Sequence, residues 1–180
     1  MIISTSSPTT IDLSGRHYVI ATDGSCNPNP GTGGWGAVIQ LKEGDEVLKQ
    51  RALAGRGEVM ISTNNKMAMT APVMALQRLV EPLPVIIMSD SEYVVQAMNG
   101  RLETWKAAGW RNSGGPVKNR GLWEQLDQLC HGRTMQWVWV KGHAGHDLNE
   151  KAYQLADNAA AGKYPYGEKS VMRRHPSWFF

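Results

Sequence analysis

The stretch that decides the fold is His17-Tyr18-Val19-Ile20-Ala21-Thr22-Asp23-Gly24-Ser25-Cys26-Asn27-Pro28-Asn29-Pro30-Gly31. Its first six residues are an apolar run of strand length, and the rest is dense in turn-forming residues. A strand over His17 to Thr22 therefore runs into a long loop, with Asp23 at the junction. Downstream, Gly34 to Leu41 reads as a second strand, Gly44-Asp45 as a turn, and the alternating Glu46 to Ala54 as a third strand of an antiparallel meander. From Asn64 the period changes, and Met67, Ala71, Met74, Ala75 and Leu79 fall on one helical face. Pro72 lies inside that pattern, where it removes a backbone donor and is expected to bend the helix.

Val85 to Met88 is a continuous apolar run, as in a strand buried on both faces, and Ser89-Asp90-Ser91 then caps a helix reaching about Met98. Helices are expected over Leu102 to Ala108 and Leu122 to Leu129, separated by the Gly-rich, basic stretch Gly109 to Gly121. Met135 to Lys141 reads as a strand and Asn149 to Ala161 as a final helix. A meander followed by alternating helices and strands predicts an α/β protein with a mixed sheet covered by helices.

With 180 residues, 42% of them hydrophobic, the chain can bury one substantial core. One domain over residues 16–163 is expected, with a flexible lead-in at 1–15 and a tail at 164–180. A net charge of +3 permits a polyanionic partner without indicating one. Cys26 and Cys130 have neither disulfide-framework nor zinc-site spacing, which fits a reducing cytoplasm. Met1 to Ser14 lacks the apolar run of a secretory leader, and no stretch approaches a membrane span, so a cytoplasmic protein without a membrane partner is expected.

Asp23 and Asp90 each stand where a strand meets a loop, the place where sites gather in open α/β sheets. Taken singly, each is better explained by a turn or a helix cap than by catalysis. Their company is more specific. Thr22-Asp23-Gly24-Ser25, Asn29-Pro30-Gly31, Gly33-Gly34-Trp35-Gly36, Thr63-Asn64-Asn65-Lys66-Met67, Ser89-Asp90-Ser91-Glu92-Tyr93-Val94 and Trp139-Val140-Lys141-Gly142-His143-Ala144-Gly145-His146 occur in that order. The succession resembles bacterial type I ribonuclease H from about Tyr18 to Ala161. The resemblance implies a five-stranded mixed sheet, antiparallel meander plus parallel strands, with helices on both faces. It also implies a monomer that hydrolyses the RNA strand of an RNA/DNA hybrid endonucleolytically, using Mg²⁺ or Mn²⁺.

In that family four carboxylates hold two metal ions at the scissile phosphate. Two of the four positions match here, Asp23 and Asp90, and both are implied metal ligands. The glutamate position holds Ala68 and the last aspartate position holds Tyr153. Asp157 lies one helical turn, about 6 Å, beyond Tyr153. Two divalent ions about 4 Å apart repel by roughly 17 kcal/mol at an effective dielectric near 20, and two carboxylates offset too little of that. Weak metal binding and slow or absent cleavage are therefore expected. An active hybrid endoribonuclease with a rearranged site and an interaction module that no longer binds nucleic acid are the alternatives.

By the same resemblance, Asn29, Thr63, Asn64 and Asn65 contact the hybrid, while Thr63 and Asn64 also read as helix caps. Trp105, Lys106, Trp110, Arg111, Lys118 and Arg120 resemble a basic protrusion that follows the DNA strand. Arg101 stands where the family often has tryptophan. His143 matches a loop histidine that acts near the leaving group. Trp123, Trp137 and Trp139 read as packing residues without a site role. Lys169, Arg173, Arg174 and His175 in the tail offer either nonspecific affinity for nucleic acid or a solvated disordered segment.

Overall fold

The computed structural model describes residues 11–57 and 61–163. The readings made for the first ten residues and for the tail from 164 lie outside them. Strands β1 (Arg16–Cys26), β2 (Gly33–Glu43) and β3 (Glu46–Arg56) form the antiparallel meander, and β4 (Val85–Ser89) pairs parallel to β1. Between β3 and β4 lies helix α1 (Asn64–Leu76). After β4, α2 (Glu92–Gln96) passes through a π-helical turn at Ala97–Arg101 into α3 (Leu102–Ala107). A small hairpin, β5 (Arg111–Asn112) and β6 (Gly115–Pro116), precedes α4 (Arg120–Cys130). Strand β7 (Met135–Trp139), parallel to β4, and α5 (Asp147–Ala160) complete the fold. The main sheet has five strands in the order β3-β2-β1-β4-β7, as expected.

Three boundaries correct the sequence reading. β1 does not stop at Thr22: its pairing with β2 continues to Cys26 opposite Gly33, so Asp23 lies within the strand. The turn-forming residues Gly24 and Ser25 remain extended because β2 supplies a full set of ladder partners. The helix capped by Ser91 does not end at Met98 but is joined to α3 by the π-helical turn, where Gly100 leaves helical dihedrals. The stretch Gly109 to Gly121 is not loop throughout, since it contains the β5–β6 hairpin. Pro72 is accommodated inside α1, at the cost of the donor that the Ala68 carbonyl would otherwise receive.

Glycines set how closely the helices approach the sheet. A Cβ on Gly24 would strike the backbone of Met67 and Ala68 in α1, and one on Gly36 would strike Ala152 and Ala156 in α5. Gly24 pairs with Trp35 and Gly36 with Asp23, which are successive rungs of the ladder, and successive rungs point to opposite faces. Thus α1 covers one face and α5 the other. The core between α1, α4 and the sheet contains the fully buried Tyr18, Ile20, Met69, Ile87, Trp123 and Leu126.

Gly36→Ala is expected to destabilise the protein by roughly 1–3 kcal/mol, because backbone rather than a flexible side chain must move. Gly121→Ala, in α4 with open space around it, is expected to be neutral or to stabilise by up to about 1 kcal/mol. Urea unfolding of the two variants against the unaltered chain checks the contrast, and equal effects would refute the close-approach argument.

Candidate functional site

The parallel pairing of β1 with β4 ends at Thr22 opposite Ser89, so Asp23, still within β1, and Asp90, just after β4, follow as neighbours. Asp23 is buried, and its Oδ1 accepts a hydrogen bond from the Gly24 N–H at 2.6 Å. Burial, then the charge of Asp90, pushes the Asp23 carboxyl up to about 7 against that hydrogen bond. Burial also raises Asp90, while its own backbone hydrogen bond and the nearby His143 oppose the rise. This is a crowded acid pair in a partly dry site.

The junction carrying Asp90 is pinned from three sides. The Ser91 N–H donates to Ser89 Oγ at 3.2 Å, and the Val140 N–H donates to the Ser89 carbonyl at 3.0 Å. The Trp139 indole N–H donates to the Asp90 carbonyl at 3.0 Å. This corrects the reading of Trp139 as a packing residue: it is 47% exposed and braces the site, whereas Trp123 and Trp137 are buried in the core. Period-two alternation groups Trp139 with Trp137, but β7 ends there, beyond the helices that cover Trp137.

The two substituted positions flank the acid pair. Ala68 is buried against Gly24 on the α1 side. Tyr153, on α5, packs its ring edge to face against His143, with centroids 4.6 Å apart. Asp157, one turn further along α5, accepts a hydrogen bond from Ser25 Oγ at 3.3 Å through its Oδ1. Among the described residues, no three His, Cys, Asp or Glu side chains are placed to hold a metal ion together. The four-carboxylate, two-ion arrangement therefore does not fit this chain.

On the α1 side, the antiparallel bridge between Gly31 and Ser62 brings the Asn29 loop to the helix start. Thr63 Oγ1 accepts from the Lys66 N–H at 3.2 Å, and Asn29 Oδ1 accepts from the Asn64 N–H at 3.3 Å. Asn29, Thr63, Asn64 and Asn65 are all exposed, forming one polar surface at a helix N-terminus.

The basic protrusion divides into two kinds of cation. Lys106 is bonded to Glu103 at 3.0 Å and to Asp127 at 2.9 Å, and Arg120 to Glu124 at 2.8 Å while lying over the Trp110 ring. Arg111 and Lys118 are exposed and make no ion pair among the described residues. Trp105 packs against Trp123 and, like Trp110, is half-buried against the core.

The raised Asp23 carboxyl has a consequence for stability. Its folded value lies above the ordinary 3.8, so between about 4 and about 7 the folded state binds more protons than the unfolded one. Stability from this group is present in acid and is lost as pH rises through about 7. In chelator, Asp23→Asn is expected to stabilise the protein more near pH 8.5 than near pH 5, the gain growing by about 2–3 kcal/mol between them. Equal gains at both pH values in denaturant titrations would contradict the assignment.

Comparison with known proteins gives this geometry its relatives. The family profile described as RNase H matches residues 15–161. A ribonuclease H of Jannaschia sp. (strain CCS1) is 46% identical over 149 residues, covering 82% of this chain and 92% of that protein. The crystal structure of LC9-RNase H1, a type 1 RNase H with the type 2 active-site motif, superposes with a TM-score of 0.73 at 29% identity. That match covers 85% of this chain and 76% of the other. LC11-RNase H1, solved in complex with an RNA/DNA hybrid, shares the fold with a TM-score of 0.58 at 21% identity, over 81% of this chain and 97% of that one. By profile, identity and fold, the chain belongs to the ribonuclease H family.

Proposed function

We propose that this chain binds RNA/DNA hybrids on the family's surface and cleaves their RNA strand slowly or not at all. Ribonuclease H-type reactions depend on divalent metal, and Mg²⁺ or Mn²⁺ is the ion this site would be offered. The observation that carries the reading is the reduced acid set. Asp23 and Asp90 stand side by side, Ala68 and Tyr153 occupy the flanking positions, and Asp157 is held by Ser25. Such a site lacks the negative charge to gather two cations around a phosphate.

The binding surface rests on different residues. Exposed Asn29, Thr63, Asn64 and Asn65 offer hydrogen-bonding groups at the α1 N-terminus, where backbone N–H groups favour a phosphate. Arg111 and Lys118 add free positive charge for the DNA strand, and Trp105 and Trp110 hold the protrusion against the core. LC11-RNase H1, whose fold this chain shares, was solved with such a hybrid. We place the protein in the cytoplasm as a monomer, without a membrane partner; no helix among the described residues is long and apolar enough to cross a membrane.

The test uses one labelled hybrid and one preparation. Binding that weakens with salt, with no metal-dependent cleavage in Mg²⁺ or Mn²⁺, is the expected result. Robust cleavage abolished by Asp23→Ala would replace this reading with an active enzyme whose metal site is rearranged. Ala68→Glu combined with Tyr153→Asp is expected to raise Mg²⁺-dependent cleavage by on the order of 10²-fold or more. Continued inactivity of a folded double variant would locate the defect outside these two positions.

A further inference from the structure

The loop between β7 and α5 makes three close contacts. The Gly142 backbone lies against the Asp90 carboxylate so closely that a Cβ there would sit 2.6 Å from Oδ2. The Gly145 N–H donates to Glu150 Oε1 at 3.1 Å. Between these, the His143 ring meets the Tyr153 ring at an interplanar angle of 83°. His143 also has φ of +54°, a left-handed conformation uncommon for residues that carry a side chain. Among the described residues, Tyr153 is the ring partner of the histidine's own side chain, and a ring contact needs an aromatic residue at 153. A carboxylate at this position, as in the family pattern, offers no ring.

We propose that Tyr153 is a positioning residue whose ring fixes the His143 imidazole beside Asp90 as a stationary contact for the RNA-strand phosphodiester. The proposal rests on the hybrid-binding reading above. Tyr153 acts through His143. An imidazole N–H can donate to a phosphate oxygen, and restricting the ring beforehand lowers the ordering cost of that bond. The substitution at 153 thus does two separable things: it removes a carboxylate and it adds a brace for the loop.

The experiment compares the unaltered full-length chain with Tyr153→Phe and Tyr153→Leu, with Tyr153→Gln as a second ring-free variant should Leu fold poorly. Histidine ring-proton NMR of the free proteins reports the ring contact, with His143→Gln identifying the signals among the five histidines. The ring-current shift of His143 is expected in the unaltered chain and in Tyr153→Phe, and is expected to vanish in Tyr153→Leu. Hybrid affinity in chelator is expected to fall by roughly three- to ten-fold in Tyr153→Leu and to be retained in Tyr153→Phe.

Unchanged His143 signals in Tyr153→Leu would overturn the proposal, as would equal affinities of all three proteins. A loss in Tyr153→Phe as large as in Tyr153→Leu would overturn it in favour of the hydroxyl. Should the unaltered chain not bind hybrid at all, the underlying reading falls and the positioning role with it. That failure is recognisable because the histidine signals still separate the variants.

Discussion

Neither helix flanking the acid pair could lie where it does if β1 and β2 carried side chains at Gly24 and Gly36. Each glycine lets a helix backbone approach the sheet from one side, and Asp23 sits between Gly24 in sequence and Gly36 across the ladder. The site's dryness follows from that approach. A carboxyl buried on the rung it shares with Gly36, with a second carboxyl after the neighbouring strand, resists ionisation, as the raised Asp23 illustrates.

Much of this was legible in the chain itself. Apolar runs and turn clusters located the five strands of the main sheet, and the change of period at Asn64 located α1, because both signals come from burial that the sequence must encode. What it encodes less well is where a ladder stops. Gly24 and Ser25 have turn chemistry, yet β2 holds them extended, a decision made by partners rather than by local preference. The π-helical turn at Ala97–Arg101 depends likewise on packing after the helix is formed.

At the site, the sequence reading put Asp23 and Asp90 at strand–loop junctions, which holds for Asp90 but not for Asp23, and the family resemblance marked Ala68 and Tyr153 as departures. Side-chain direction was less accessible. Trp139 shares the alternation of Trp137 but projects past the covered part of the sheet, where its indole N–H reaches the Asp90 carbonyl. The Tyr153 contact with His143 joins a helix to an irregular loop, and no periodic pattern reports such a meeting. Asp157, one helical turn beyond Tyr153, meets Ser25 at 3.3 Å, a contact between a helix and a strand that sequence spacing does not report.

The ion pairs of the protrusion have a consequence for how the arm meets a polyanion. Bare cations on a protein displace the ions condensed along a nucleic acid backbone when they bind, and the released ions supply the entropy of association. Lys106 and Arg120 are already compensated by Glu103, Asp127 and Glu124, so they release fewer ions than their formal charge implies. The arm is consequently stiffer and electrically quieter than its composition advertises, and long-range attraction falls mainly to Arg111 and Lys118.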